Sequence, residues 1–327
     1  MAITKIYKGN VERSDIQKIY KGTTLLYEKV LPPSTALFYG GGTTRTVIKA
    51  DLDDLSTLNT SVSYGADIRA IAVDDTHVYV GGSLTVRKYL KSDLSYVGES
   101  DVFYSKTGIR TIAIDDTHIY VGDERTGGYA IQTIRKYLKS DLSFIGKVKD
   151  SSFSGNTFSI AIDDTYIYAG GSSDQNVKRY LKSDLSYVSG TEKYGGTINS
   201  IAIDDTHIYV GGATTNKVRK YLKSDLSFVS ESATYGGYIY AIAVDDTYVY
   251  VGGNTTQTVR KYLKSDLSYV GETPSYGGNI RSISIDDTHI YVGGDTTETV
   301  RRYLKSDLSL IDSTPNYGGE IHSIVIG

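Results

Sequence analysis

"YGGEIHSIVIG" (317–327) opens a unit that the chain has already spelled out several times, then stops one strand into it. Its counterparts are "YGGTINSIAID" (194–204), "YGGYIYAIAVD" (235–245) and "YGGNIRSISID" (276–286). Far upstream, "ALFYGGGTTRTVIKADLDDLS" (36–56) matches "YVYVGGNTTQTVRKYLKSDLS" (248–268) without a gap. That segment supplies the second, third and fourth strands of a unit that lacks its first. The two fragments are complementary, which an open solenoid has no reason to produce. Pairing the last strand with the first three closes a ring and hydrogen-bonds edges that would otherwise stay open.

Between the fragments, "DDT" begins at Asp74, Asp115, Asp163, Asp204, Asp245 and Asp286, at intervals of 41, 48, 41, 41 and 41. "YLKSDLS" begins at Tyr89, Tyr137, Tyr180, Tyr221, Tyr262 and Tyr303. A fixed period of roughly 40–45 residues is that of a propeller blade of four strands. One unit reads "INSIAID" (198–204), "HIYVGG" (207–212), "VRKYLKS" (218–224) and "SFVSES" (227–232). "DDT" and "SDL" between them are short enough for hairpin turns, where Asp and Ser supply local hydrogen bonds. No segment sustains a 3.6-residue apolar period. The expectation is an all-β, seven-bladed β-propeller with four-stranded blades, the ring closed by the C-terminal strand pairing with the N-terminal partial blade. Residues 34–327 form it, and residues 1–33 are a separate β-hairpin attachment segment with a Pro linker.

The repeat resembles the NHL and YVTN type of β-propeller, in which an "AID–turn–IYV–Gly–strand" unit recurs in each blade. The resemblance covers residues 36–327 and implies fold rather than activity, because propellers host many unrelated functions. At the other end, "KIYKGN" at Lys5 and "KIYKGT" at Lys18 echo each other. "IQKIYKGTTLLYEK" (16–29) alternates apolar and polar positions around Gly-Thr-Thr, as a hairpin does, and Pro32 and Pro33 read as a stiff linker. "KIYKGTTLLYE" resembles a segment near the start of structural proteins of tailed phages and prophages. The resemblance implies that residues 1–31 attach the propeller to a virion or tail protein.

Composition narrows the function classes. Of 327 residues, 39% are hydrophobic and 22% charged, and the formal net charge is −3, which gives no electrostatic case for nucleic acid. There is no cysteine, so thiolate catalysis and Cys-based metal sites are excluded. "MAITKIYKGN" lacks the apolar core of a secretory signal, and no apolar run approaches the roughly 20 residues that span a bilayer. The expected location is virion-associated, or cytoplasmic at synthesis, without membrane insertion. Thirty tyrosines stand against six phenylalanines and no tryptophan. Tyrosine suits half-buried strands and also suits binding faces.

No G-x-S-x-G elbow, H-E-x-x-H pair or P-loop is present. His77, His118, His207 and His289 share a slot that Tyr166 and Tyr248 fill elsewhere, so they read as packing aromatics rather than metal ligands or general bases. "DDT" is too short to supply the six to eight oxygens of calcium. No catalytic residue, metal or cofactor is expected.

Binding candidates lie on the face opposite the "DDT" and "SDL" turns. Tyr194, Tyr235, Tyr276 and Tyr317 each precede Gly-Gly, and Tyr64 precedes Gly65-Ala66. They read either as rings for stacking on sugars around the channel mouth or as rings packed between blades beside positive-φ glycines. One first-strand position varies while its neighbours barely change: Arg69, Arg110, Phe158, Asn199, Tyr240, Arg281 and His322. Blade 2 carries a long loop, "GDERTGGYAIQT" (122–133), with Asp123, Glu124, Arg125 and Tyr129 as further candidates. Three functions compete: a non-enzymatic, phage- or prophage-type binding module for a cell-surface glycan or receptor, a virion spacer or decoration protein without a ligand, and a polysaccharide-degrading enzyme.

Overall fold

The computed structural model describes residues 35–102, 108–124, 134–148, 155–172 and 175–327, together with four short strands before residue 35. The chain divides into two compact units, Met1–Thr35 and Ala36–Gly327. In the first unit Tyr7–Lys8 pairs with Val11–Glu12, and Lys18–Lys21 pairs antiparallel with Thr24–Glu28 across a bulge. Pro32 and Pro33 lie outside the described residues.

The second unit is a ring of seven four-stranded antiparallel sheets, and among the described residues it has no helix. Blade 4 typifies the order: Ile198–Ile203, His207–Gly212, Arg219–Leu222 and Phe228–Glu231. Blade 7 is the composite. Its first strand, Ile321–Ile326, pairs with Leu37–Gly41, which continues to Ile48–Ala50 and Thr57–Thr60. Ala36 and Gly327 exchange two backbone bonds where the ends meet. The closure read from the two sequence fragments is the closure the chain makes.

First strands of successive blades touch one another around the axis, and fourth strands form the outer rim. The core is therefore seven layers between blades rather than one central mass. In one layer Tyr168 and Val177 of blade 3 meet Ile198, Ile201, Ile208, Val210 and Tyr221 of blade 4. Outside blade 2, where Asp123 follows Gly122, each second strand closes on Gly-Gly for a steric reason. A Cβ on Gly211 would lie 2.6 Å from Ile239 of the next blade, and one on Gly212 would lie 1.8 Å from the carbonyl oxygen of Thr197. The "SDLS" turn places its leucine in the left-handed region, with φ of 64° at Leu226, where a Cβ is disfavoured. Burial of that side chain against the blade core offsets the strain.

Candidate functional site

The "DDT" end of the ring shows what the copied polar residues do. Asp74 Oδ1 accepts the amides of Thr76 and His77, while Oδ2 accepts the hydroxyl of Tyr79 and pairs with Lys139 Nζ of the next blade at 2.6 Å. The same pair recurs as Asp115–Lys182, Asp163–Lys223, Asp204–Lys264 and Asp245–Lys305. Burial alone would raise the Asp74 carboxyl, but the Lys139 ammonium and the Thr76, His77 and Tyr79 donors hold it well below the ordinary range. His77, His118 and His207 are lowered by burial and by Lys88, Lys136 and Lys220 respectively.

A second set of cross-blade bonds comes from the third strand. Lys88, Lys136, Arg179, Lys220, Lys261 and Arg302, with Lys49 of the composite blade, each donate to the carbonyl of the residue just before the next blade's "SDL" turn, and Arg302 also to that of the turn's first residue. A third set comes from the first strand, where Ser159, Ser200, Ser282 and Ser323 accept the amides of Ile201, Ile242, Ile324 and Ile71. Hollows of about 680 and 390 Å³ at the blade 1/2 and 2/3 junctions on this end are lined by these bonded groups.

On the opposite end, the expectation of sugar-stacking tyrosines is corrected. Tyr194, Tyr235 and Tyr276 are 0% exposed and Tyr64 and Tyr317 only 3%. Their hydroxyls donate to Lys217, Thr258, Thr299, Thr85 and Thr46 carbonyls in that order. The following glycine turns at positive φ, which drives the ring inward. Third-strand arginines then cover four of the rings, Arg87 over Tyr64, Arg219 over Tyr194, Arg260 over Tyr235 and Arg301 over Tyr276, at 5.1–5.6 Å. No face is left for a ligand.

The variable first-strand residues behave differently. Arg69, Arg110, Phe158, Asn199, Tyr240, Arg281 and His322 are all half-buried around the channel. Arg69, Arg110, Tyr240 and Arg281 line one hollow of about 210 Å³ there with first-strand hydroxyls. Neighbouring blades are linked through them. Arg110 stands 5.6 Å from the Phe158 ring and Arg281 4.6 Å from that of Tyr240, and Asn199 donates to the Ile239 carbonyl. Arg281 also forms a two-pronged pair with Asp295 at 2.9 and 2.9 Å, which also accepts from Asn279. Burial opposes ionisation of Asp295, but Arg281 and Asn279 hold its carboxyl below the ordinary range, the reverse of what a proton-donating acid needs. Burial lowers His322, which faces Glu320 at 3.6 Å.

Asp123 is 1% exposed and its backbone pairs with Ile109, so it sits inside the blade-2 sheet rather than on a surface. Glu124 ends the second strand opposite Gly108. Its side chain, Arg125 and Tyr129 lie outside the described residues. Reading by motif missed Arg45 and Asp67, which stand beside Arg69 around a hollow of about 300 Å³. A spacing signal marks the place. Asp74 and Tyr89 are 15 positions apart, whereas Asp204 and Tyr221 are 17 apart.

Among the described residues no cluster of three His, Asp or Glu could hold a metal, and no helix is long and apolar enough to cross a membrane. No family model matches the chain. No curated protein matches it either. Solved structures do. The crystal structure of the computationally designed Ika8 protein is similar with a TM-score of 0.64 at 12% identity, covering 88% of this chain and 89% of that one. The WD40 β-propeller domain of Doa1 gives 0.65 at 12% identity, covering 79% and 86%. At such identity the likeness is one of fold alone, and the chain is a seven-bladed β-propeller with a WD40 propeller among its structural neighbours.

Proposed function

We propose that this propeller is a non-enzymatic binding module for a cell-surface glycan, carried by a phage- or prophage-type assembly through residues 1–31. One observation carries the reading: the first Asp of five "DDT" turns, the lysines that pair with them and the first-strand serines are copied and tie blade to blade, while the residues that differ from copy to copy gather around the channel. Diverse cations, an amide and aromatics at one radius suit a polyhydroxylated ligand, with polar groups that orient it and rings that stack on it. The NHL-like repeat and the phage-like N-terminal segment support the reading by resemblance only.

The test is binding of the full chain to an array of bacterial surface glycans, beside an Arg110→Gln, Tyr240→Ala variant. Binding is expected for the parent and lost in the variant, with stability lowered by no more than about 2 kcal/mol for the two cation–ring contacts removed. A parent silent on every glycan would sink the reading.

The outer rim favours a second reading, that of a virion spacer or decoration protein. Tyr96, Phe144, Tyr187, Phe228 and Tyr269 on the fourth strands are 44–52% exposed, and each is followed by an exposed Val or Ile. Such a belt of apolar groups is a contact surface for other proteins.

A further inference from the structure

Five junctions at the "DDT" end carry an Asp–Lys pair, and a sixth has Leu52 in place of the lysine. The seventh, where the composite blade meets blade 1, lacks the carboxylate instead. Aligning "IHSIVIG" (321–327) with "IRSISID" (280–286) sets Gly327 in the place of the first Asp. Aligning "ALFYGG" (36–41) with "YVYVGG" (248–253) sets Phe38 where the other blades have the tyrosine whose hydroxyl bonds that Asp. Ala36 then stands in the slot of the histidine or tyrosine beside the turn. The lysine is retained. It is Lys91, the counterpart of Lys139, Lys182, Lys223, Lys264 and Lys305.

The main chain here is satisfied. Gly327 donates to the Ala36 carbonyl at 3.1 Å, as Asp245 donates to that of Tyr248 at 3.0 Å. The Ala36 amide, whose counterpart on Tyr248 bonds Asp245 Oδ1, bonds the Gly327 carbonyl at 2.8 Å. The ammonium is what lacks its acceptor. Lys91 is only 7% exposed, and among the described residues its Nζ has no hydrogen-bond or ion-pair partner. A buried charge left in that condition is costly.

A second cation lies close by. Lys49, also buried, donates to the carbonyls of Lys91 and Ser92 at 3.0 and 2.9 Å. An ammonium has three donors, so Lys49 keeps one beyond these two bonds. Burial lowers Lys49 and the charge of Lys91 lowers it further, with the exposed Asp93 acting in the opposite direction. At the first junction the equivalent cations, Lys88 and Lys139, act together with Asp74. At the seventh the same two cations face each other without it.

We propose that Lys91 holds a small monocarboxylate, of the size of formate or acetate, in the position that an aspartate side chain takes at the other junctions. The ligand class follows from the copies, where the equivalent ammonium meets a carboxylate oxygen at 2.6–3.0 Å five times. Its size follows from the burial of Lys91, which admits an anion of a few atoms rather than a ring. Held between Lys49 of the composite blade and Lys91 of blade 1, the anion ties the closing junction of the ring as the Asp–Lys pairs tie the others.

The test is a nuclear magnetic resonance titration of the full chain with formate, benzoate, inorganic phosphate and chloride at constant ionic strength. It follows the Lys91 Cε signal and the amides of Ala36 and Gly327. Two variants accompany it. One is Lys91→Leu, patterned on Leu52 of the sixth junction. The other is Gly327→Asp joined to Val73→Ala, which returns a carboxylate and clears the Val73 Cγ1 that stands 2.7 Å from a Cβ on Gly327. Formate is expected to shift these signals saturably, with benzoate and chloride inert and phosphate weaker. Affinity should fall at least about tenfold in both variants, the equivalent of one charge-assisted bond. A parent silent to formate, as it is if the chain itself supplies the carboxylate, overturns the proposal. So does a shift that chloride or benzoate reproduces, a preference for phosphate, or an undiminished response in either variant.

Discussion

The two ends of the ring are built from the same repeat yet treat it differently. At the "DDT" end the residues recur and so do their bonds, five times over for the Asp–Lys pair. At the other end the backbone recurs while side chains at one radius change from arginine to phenylalanine to asparagine. A junction between identical sheets needs the same donors and acceptors at each step, so repetition is the mark of assembly. A ligand site has no such need. The sixth junction shows the rule under stress, since Leu52 stands where the pairing lysine belongs. There Asp286 turns to His289 and Tyr291, and Arg302 replaces lysine to reach the carbonyls of Leu52 and Asp53.

Tyr235 gives the largest test of this division, because it sits at the divergent end but belongs to the copied set. Tyr235→Ala should destabilise the fold by about 3–5 kcal/mol, as deletion of a buried aromatic does. Tyr235→Phe should cost about 1 kcal/mol for the bond to Thr258. Both are read from denaturant midpoints. A near-neutral Tyr235→Ala would return the tyrosines to the binding face.

Adjacent aspartates sharpen the contrast within one motif. Asp204 accepts two amides, the Tyr209 hydroxyl and Lys264, whereas Asp205 is exposed. Asp204→Ala should cost about 2–3 kcal/mol and Asp205→Ala no more than about 0.5. Equal effects would mean that the turn matters and the inter-blade pair does not.

Acid should act through the same end of the ring. The folded carboxyls of Asp74, Asp115, Asp163, Asp204, Asp245 and Asp286 titrate below their unfolded counterparts. Their contribution is therefore present above the unfolded carboxylate value of about 4 and lost as pH falls below it. His77, His118 and His207 also protonate less readily when folded, which begins the decline below about pH 6.5. Thermal midpoints across pH 3–8 should fall in these two stages, and a flat profile would deny the aspartates their role.

Much of this architecture was legible because it is periodic. The blade number followed from two fragments that complete each other, and strand alternation sorted the turns by face. The tyrosine-glycine pairs were not decidable, since "YGG" reads alike with the ring turned in or out. What decides is the positive φ at the glycine and an arginine more than twenty positions onward, a contact no local pattern carries. The hollow beside Arg45 and Asp67 was hidden for another reason. The stretch from Tyr89 to Asp115 is 26 positions against 24 from Tyr221 to Asp245, so a lengthened lead-in restores the period of 41 that the shorter span from Asp74 to Tyr89 breaks.

The smallest expected effect is the most discriminating. Asn199 and Tyr240 occupy equivalent positions in blades 4 and 5, each half-buried, on the same backbone. Exchanging them, Asn199→Tyr with Tyr240→Asn, removes one bond to Ile239 and the stack under Arg281. Either is worth about 1 kcal/mol or less at such exposure, so the midpoint should move by no more than about that amount. On the function proposed above, glycan binding should change by contrast, because the order of side chains around the mouth has changed. A loss of stability well beyond this would make the mouth residues packing elements like the tyrosines beside them, and the divergence between blades would then reflect local fit rather than a ligand.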